Sequence, residues 1–175
     1  MAKDVKELIS KDEIHAKVKA LAEQIKADHP NGVYCIVVLT GAMIFFVDLM
    51  KELRALGVQV GFAPMKLSSY EGTESTGKIT VDLEVTKVKV EGKWVIIIED
   101  IVDSGYTADF VRKYLLDRGA ISVKLCSLLD KPERRKVEVA INYRGFVVPD
   151  KFIVGYGLDV DGMYRDLPYI GYIEE

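Results

Sequence analysis

Glu99, Asp100 and Asp103 are the residues of this sequence best placed to do chemistry. They lie in the run Trp94-Val95-Ile96-Ile97-Ile98-Glu99-Asp100-Ile101-Val102-Asp103-Ser104-Gly105-Tyr106-Thr107. An apolar stretch ends there in two adjacent carboxylates, and a third acid is followed at once by small hydroxyl and glycine residues. Two neighbouring carboxylates at the end of a buried strand repel each other and resist desolvation. A cation or a set of hydroxyl donors relieves both costs, and ribose hydroxyls and Mg2+ are suitable partners. Gly105 permits the positive φ that a tight anion-binding turn often requires. Backbone N–H groups of that turn, the hydroxyls of Ser104 and Thr107, and the positive end of a following helix can together surround a phosphate. Helix capping explains a lone Ser or Thr, but not three acids around the same turn. This spacing therefore predicts a site for a phosphorylated sugar.

Such a site needs strands that end together, because open α/β sheets bind ligands outside the carboxyl ends of their strands. Val33–Leu39 reads as a buried strand, Thr40-Gly41 as a turn, and Ala42–Leu56 as an amphipathic helix closed by Gly57. Val58–Leu67 is strand-like. Ser68–Lys78 has no aliphatic residue and reads as a long polar loop, a kind that is usually functional or mobile. Ile79–Val85 alternates as a strand, Glu91-Gly92-Lys93 turns, and Trp94–Glu99 is the strand that carries the acids. Thr107–Arg118 reads as a helix and Ile121–Leu128 as a further strand. Near the start, Ser10-Lys11-Asp12-Glu13 fits a capping box, and Ile14, Val18, Leu21 and Ile25 then share one helical face. After Asp130, short strand-like pieces are broken by Pro149, Gly155, Gly157 and Pro168, which predicts a small flap over the sheet's carboxyl edge. The order predicts an α/β fold with a mostly parallel central sheet flanked by helices. It also predicts one domain over residues 1–175, with a core of about 31–130 and a small hood from about 1–15 and 131–175.

The 175 residues suffice for one domain with a real core, and 49% hydrophobic with 29% charged residues excludes a disordered chain. A formal net charge of −3 gives no electrostatic case for nucleic acid. The sequence has no apolar run of the roughly 20 residues that span a bilayer, and its charged first residues lack a signal-peptide core. The cytoplasm is the predicted location, with neither membrane nor nucleic acid as partner. Cys35 and Cys126 sit in apolar strand-like runs and read as buried reduced thiols, with a disulfide or a catalytic thiol as alternatives. His15 and His29 read as surface or structural residues, and no Cys–His spacing suggests zinc.

The strand, two acids, two apolar residues and Asp-Ser-Gly-x-Thr resemble the phosphoribosyl-pyrophosphate signature of type I phosphoribosyltransferases. The resemblance covers nearly the whole chain after Val33 and narrows to the hypoxanthine-guanine branch. Leu67-Ser68-Ser69-Tyr70 is similar to that branch's mobile catalytic loop. Leu129-Asp130-Lys131-Pro132-Glu133-Arg134-Arg135 and Pro149-Asp150-Lys151-Phe152-Ile153-Val154-Gly155-Tyr156-Gly157-Leu158-Asp159 are similar to its base-binding segments. Tyr164-Arg165-Asp166-Leu167-Pro168 is similar to its closing arginine segment.

The resemblance implies purine salvage: an Mg2+-dependent transfer of the 5-phosphoribosyl group from phosphoribosyl pyrophosphate to a 6-oxopurine, hypoxanthine or guanine, giving IMP or GMP. It implies Asp103 as general base, with Ser69 and Tyr70 closing over the centre. Glu99 and Asp100 hold ribose and metal, and Ser104, Gly105, Tyr106 and Thr107 hold the 5′-phosphate. Thr40, Gly41 and Arg165 bind pyrophosphate. Lys131, Phe152, Ile153 and Asp159 receive the purine, and Asp159 joins Glu99 and Asp100 at the metal. Where the family commonly has Leu-Lys-Gly, this chain has Leu39-Thr40-Gly41, so Thr40 keeps the backbone N–H but lacks the lysine's charge and reach. In the family a cis peptide often joins the first two residues of that turn. The segment Thr86–Lys93 reads as a shortened hairpin. A homodimer or homotetramer is expected, with Ala42–Leu56 apolar enough to face a neighbour.

The alternative reading is a nucleotide-responsive RNA-binding regulator of the same fold, which would need a basic face. Only Lys131 and Arg134-Arg135 form a short basic cluster. A phosphate-receiver domain would need an acid pair at the end of the first core strand, and Val37-Val38-Leu39-Thr40 has none.

Overall fold

The computed structural model describes residues 4–69, 79–83 and 89–174. The chain opens with β1 (Val5–Ile9) and α1 (Lys11–Asp28), followed by β2 (Val33–Leu39) and α2 (Met43–Ala55). Next come β3 (Val60–Ser69), β4 (Ile79–Leu83), β5 (Trp94–Val102), α3 (Tyr106–Asp117) and β6 (Ser122–Asp130). A short 3-10 turn at Pro132–Arg134 precedes β7 (Tyr143–Val147), β8 (Phe152–Val154) and β9 (Ile170–Ile173). The α1 start is the capping box its sequence predicts: the Glu13 N–H donates to Ser10 Oγ at 3.2 Å, and the Ser10 N–H donates to Glu13 Oε2 at 2.8 Å.

Six strands form the main sheet in the order β4-β3-β2-β5-β6-β7. All neighbours are parallel except β4, which closes one edge antiparallel to β3. The near-continuous apolar runs of β2 and β5 suit strands covered on both faces. Successive side chains of these strands serve opposite cores. Cys35, Val37, Ile96 and Ile98 pack with Ile14, Leu21, Phe45 and Leu49 of α1 and α2. Ile36, Val38, Val95 and Ile97 pack with Ala108, Val111 and Leu115 of α3. A separate antiparallel sheet, β1-β9-β8, joins the two ends of the chain into the expected hood. Its Ile9, Ile153 and Ile170 belong to the same buried cluster as α1 and α2, which seats the hood on the sheet.

The structure corrects several expected boundaries. Strand β3 runs on to Ser69, so the polar stretch begins within a strand; the expected strand is present over Ile79–Leu83, and residues 84 and 85 of it lie outside the described residues. The acid-bearing strand continues to Val102, whose Cα partner is Asp130, because Ile101 and Val102 still find places in the ladder beside β6. Tyr143–Val147 does not join the hood: it pairs parallel with β6 and extends the main sheet, so the core reaches past residue 130. Both cysteines are free and buried, and burial pushes the Cys35 thiol up to about 12, so the catalytic-thiol and disulfide alternatives fall away. Among the described residues no helix is long and apolar enough to cross a membrane.

Candidate active site

The acids sit in the last third of β5, inside the ladder. Glu99 is only 5% exposed, opposite the fully buried Ser127 of β6, and among the described residues its Oε1 has no hydrogen-bond partner. Burial first, and the Asp100 charge second, hold the Glu99 carboxyl well above its ordinary range. Burial also pushes Asp100 up to about 6, although the Ile101 N–H donates to its Oδ1 at 2.7 Å and Arg165 lies close enough to pull the other way. Two carboxyl groups are thus held side by side at a cost that nothing among the described residues fully offsets.

The Thr40-Gly41 turn lies directly against Asp100. A Cβ on Gly41 would stand 1.8 Å from Asp100 Oδ2, so only glycine lets the backbone come this close. The Leu39–Thr40 peptide is cis, as the resemblance implies. On the far side of this turn, Arg165 Nη1 donates to the Gly157 carbonyl at 2.5 Å, and Arg165 Nη2 pairs with Asp159 Oδ2 at 3.1 Å. Asp159 also accepts the Gly162 N–H at 2.7 Å. The expected pyrophosphate arginine and the expected metal carboxylate therefore hold each other.

After β5 the chain turns at Asp103–Gly105 and enters α3 at Tyr106, one residue before the expected start. Gly105 has φ 91°, a left-handed conformation that glycine adopts without steric cost. Residues 99–105, Thr107 and Ala108 line a hollow of about 190 Å³ at the positive end of α3. Asp103 Oδ1 stands 3.3 Å from Arg134 Nε in an ion pair without hydrogen-bond geometry, and the side chain is partly open to solvent.

Beyond Asp103 an open cleft of about 710 Å³ runs under the hood. Ile101, Asp103, Lys131, Phe152 and Ile153 are among its walls. Lys131 is 6% exposed, far from the solvated lysine its type alone would suggest. Its Nζ donates to the Lys151 carbonyl at 2.9 Å and stands 4.0 Å from Asp150 Oδ1, an ion pair too long for a hydrogen bond, so donors remain that a ligand could take. Phe152 is 51% exposed, so it is no core residue, and its ring face is free for stacking. Ile153 buries its side chain and contributes backbone to the cleft, paired with Tyr172 in the hood sheet.

The structure thus gathers Glu99, Asp100, Asp103, Ser104, Gly105 and Thr107 around one turn, with Gly41 and Arg165 beside Asp100. Lys131, Phe152 and Ile153 meet across the adjoining cleft. Tyr106 is exposed on the first turn of α3. Ser69 ends β3, and Tyr70 lies outside the described residues. Among the described residues no three His, Cys, Asp or Glu side chains form a cluster that could hold a metal alone. Glu99 with its unpartnered oxygen, Asp100 and Asp159 are oxygen donors fit for a hard cation. They suit an ion that brings its own water and phosphate ligands rather than a closed protein cage.

Sequence reasoning passed over Asp130 and the two guanidinia on it. Asp130 is 2% exposed; Arg135 and, at 3.2 Å, Arg144 both bind its carboxylate. The Lys-Pro-Glu-Arg-Arg run drew notice as a basic cluster, and its pairing with an acid on β6 appears only in three dimensions.

The phosphoribosyl transferase domain family matches residues 4–161. The bifunctional protein TilS/HprT of Listeria monocytogenes serotype 4b is 42% identical over 171 residues, which is 97% of this chain. The chain spans only 26% of the length of that relative. The hypoxanthine-guanine phosphoribosyltransferase of Streptococcus pneumoniae strain R6 is 40% identical over 175 residues, covering 98% of this chain and 95% of its own. A crystal structure of a hypoxanthine-guanine phosphoribosyltransferase from Bacillus anthracis superposes with a TM-score of 0.91 at 40% identity, over 98% of this chain and 100% of that one.

Proposed function

The chain belongs to the hypoxanthine-guanine phosphoribosyltransferase family, and from that premise we propose that it serves purine salvage. In this reading it transfers the 5-phosphoribosyl group from phosphoribosyl pyrophosphate to N9 of hypoxanthine or guanine. The observation that carries the reading is the pair of buried, under-partnered carboxylates, Glu99 and Asp100, in the wall of a hollow that meets, at Ile101 and Asp103, a cleft offering both a donor-only lysine and an exposed aromatic ring.

Each residue then has a task. The N–H groups and hydroxyls from Ser104 to Thr107, including Gly105 and Tyr106, hold the 5′-phosphate. Glu99 and Asp100 accept hydrogen bonds from the ribose hydroxyls. The backbone of Thr40 and Gly41 and the Arg165 guanidinium bind pyrophosphate. Lys131 donates to the purine 6-oxo group in a charge-assisted bond. Against the 6-amino group of adenine it would set donor against donor, a mismatch that rejects the wrong base strongly. Phe152 stacks on the purine, while the backbone of Ile153 and the region of Asp159 read its edge. Asp103 takes the proton from purine N7 as the base attacks C1′ and pyrophosphate departs, which requires its Arg134 pair to yield. Ser69 and Tyr70 close over the centre and keep water from capturing the reactive sugar. Mg2+, held by Glu99, Asp100 and Asp159 together with the substrate's phosphates, would neutralise charge on the leaving pyrophosphate.

The reading also includes self-association. Met43 and Val47 of α2 and Phe62 of β3 are large apolar side chains exposed on neighbouring elements, a surface that suits a second copy. A homodimer or homotetramer is the expected mass by light scattering. The RNA-binding alternative finds no support. Its basic cluster is already engaged: Arg134 by Asp103 and Asp150, Arg135 by Asp130, and Lys131 by the Lys151 carbonyl.

Incubation of the purified protein with phosphoribosyl pyrophosphate, Mg2+ and hypoxanthine should yield IMP and pyrophosphate in equal amounts. No turnover with hypoxanthine, guanine or xanthine would overturn the proposal. In the same assay Asp103→Asn should lower kcat by about 10²–10⁴, the span of a lost general base.

A further inference from the structure

We propose that Arg135, anchored by Asp130, is a positioning residue that aims the backbone N–H groups of Ser104 and Gly105 at the substrate's 5′-phosphate. The inference rests on the phosphoribosyl reading of the 103–107 loop and adds to it what holds that loop in shape.

In a trans peptide the C=O and N–H point in opposite directions. The Asp103 carbonyl shares its peptide with the Ser104 N–H, and the Ser104 carbonyl shares its peptide with the Gly105 N–H. Arg135 Nε donates to the Asp103 carbonyl at 3.1 Å. The Lys136 and Val137 N–H groups donate to the Ser104 carbonyl at 2.8 and 3.0 Å. Both carbonyls are therefore drawn to segment 135–137, and both N–H groups are turned away from it. Among the described residues neither N–H has a backbone acceptor. Both residues line the 190 Å³ hollow. The fit between loop and segment is close: a Cβ on Gly105 would stand 2.4 Å from the Val137 carbonyl oxygen and 3.0 Å from Arg135 Cδ.

The anchor lies at the end of β6. Asp130, in register with Val102 of β5, accepts Arg135 on Oδ1 and Arg144 on Oδ2. The planar guanidinium offers several donors in a fixed fork, so one side chain can hold Asp130 and the Asp103 carbonyl together. Lysine has the charge but not the fork. A surface ion pair would leave the loop unaffected; this one joins a sheet strand to the backbone of the anion turn.

Calorimetric titration of the full chain with GMP and with guanosine isolates the phosphate's share of binding. Arg135→Gln should weaken GMP binding at least about tenfold, the scale of one charge-assisted hydrogen bond, while guanosine affinity stays within about twofold. Asp130→Asn should move in the same direction, and the two losses should not add in the double variant. Arg135→Lys keeps a cation beside Asp130 and serves if the glutamine variant does not melt cooperatively; it should show the same selective loss. A GMP-to-guanosine affinity ratio that matches the wild type in the folded variant overturns the inference, as does an equal fall for both ligands. A wild-type protein that binds GMP no better than guanosine overturns the reading of the loop itself, and the inference with it.

Discussion

Strands β5 and β6 lie side by side, and each carries a buried carboxylate near its carboxyl end, yet the two are treated in opposite ways. Asp130 on β6 receives two guanidinium groups and is complete within the chain. Glu99 on β5 has an oxygen with no partner among the described residues, and its neighbour Asp100 adds a second charge to the same spot. Burying a carboxylate costs several kcal/mol unless partners offset it. The first acid therefore stabilises this fold, whereas the second is tolerated by it. An acid held at such a cost in the wall of an open hollow fits the ligand role proposed for it.

Four measurements would break or sharpen this contrast. Asp130→Ala should be the most damaging to stability, lowering the unfolding free energy by about 2–4 kcal/mol in urea titrations, because it empties a buried site and leaves the part-buried Arg135 guanidinium without its partner. A loss under about 1 kcal/mol would erase the distinction. Next is the pH dependence. Asp100 has an ordinary value of 3.8 and is pushed up to about 6 in the folded chain. Between those values the folded chain keeps a proton that the unfolded chain has released, so stability must decline as pH rises through that window. The decline is of order 1–3 kcal/mol. Glu99, also raised by burial, adds to the decline in the same direction, and Asp100→Asn should flatten the slope measured by thermal or urea unfolding. Third, Glu99→Gln should leave stability unchanged or raise it by about 1 kcal/mol, while turnover falls at least about tenfold through loss of a charged acceptor. A destabilised variant with full activity would reverse the assignment. The smallest effect belongs to Arg144→Ala, which removes the more exposed partner of Asp130 and should cost less than about 1 kcal/mol in the same titrations.

How much of this was legible in the sequence depended on how local the signal was. The strand–turn–helix from Trp94 to Asp117 is contiguous, and its apolar run, acids and Gly105 each speak for their own place. The Ser10 capping box and the Ile14, Val18, Leu21, Ile25 face were equally plain, since each depends on residues a turn apart. The place of Tyr143–Val147 in the main sheet was not, because its short mixed run reads alike as a core-edge or hood strand until β6 offers it a partner. The bond from the Tyr156 hydroxyl to Asp48 on α2 joins residues 108 apart in sequence. Likewise, the roles of Asp130 and Arg135 depend on the 103–105 turn, far from both in sequence. The family resemblance supplied roles for Lys131 and Phe152, but only the structure removes the plainer alternatives, by burying the lysine and exposing the ring.

The hood pairs β1 with β9, matching Val5 with Ile173, and Lys6 reaches Glu174 at 2.7 Å. Antiparallel partners stand only about 5 Å apart, so Val5 and Ile173 lie within reach of a short linker. A circularly permuted chain, sealed across this pair and opened at the exposed Glu91-Gly92 turn, would be cut at the amino end of β5, away from the cleft. The hood strands that wall the cleft would then be made of uninterrupted sequence.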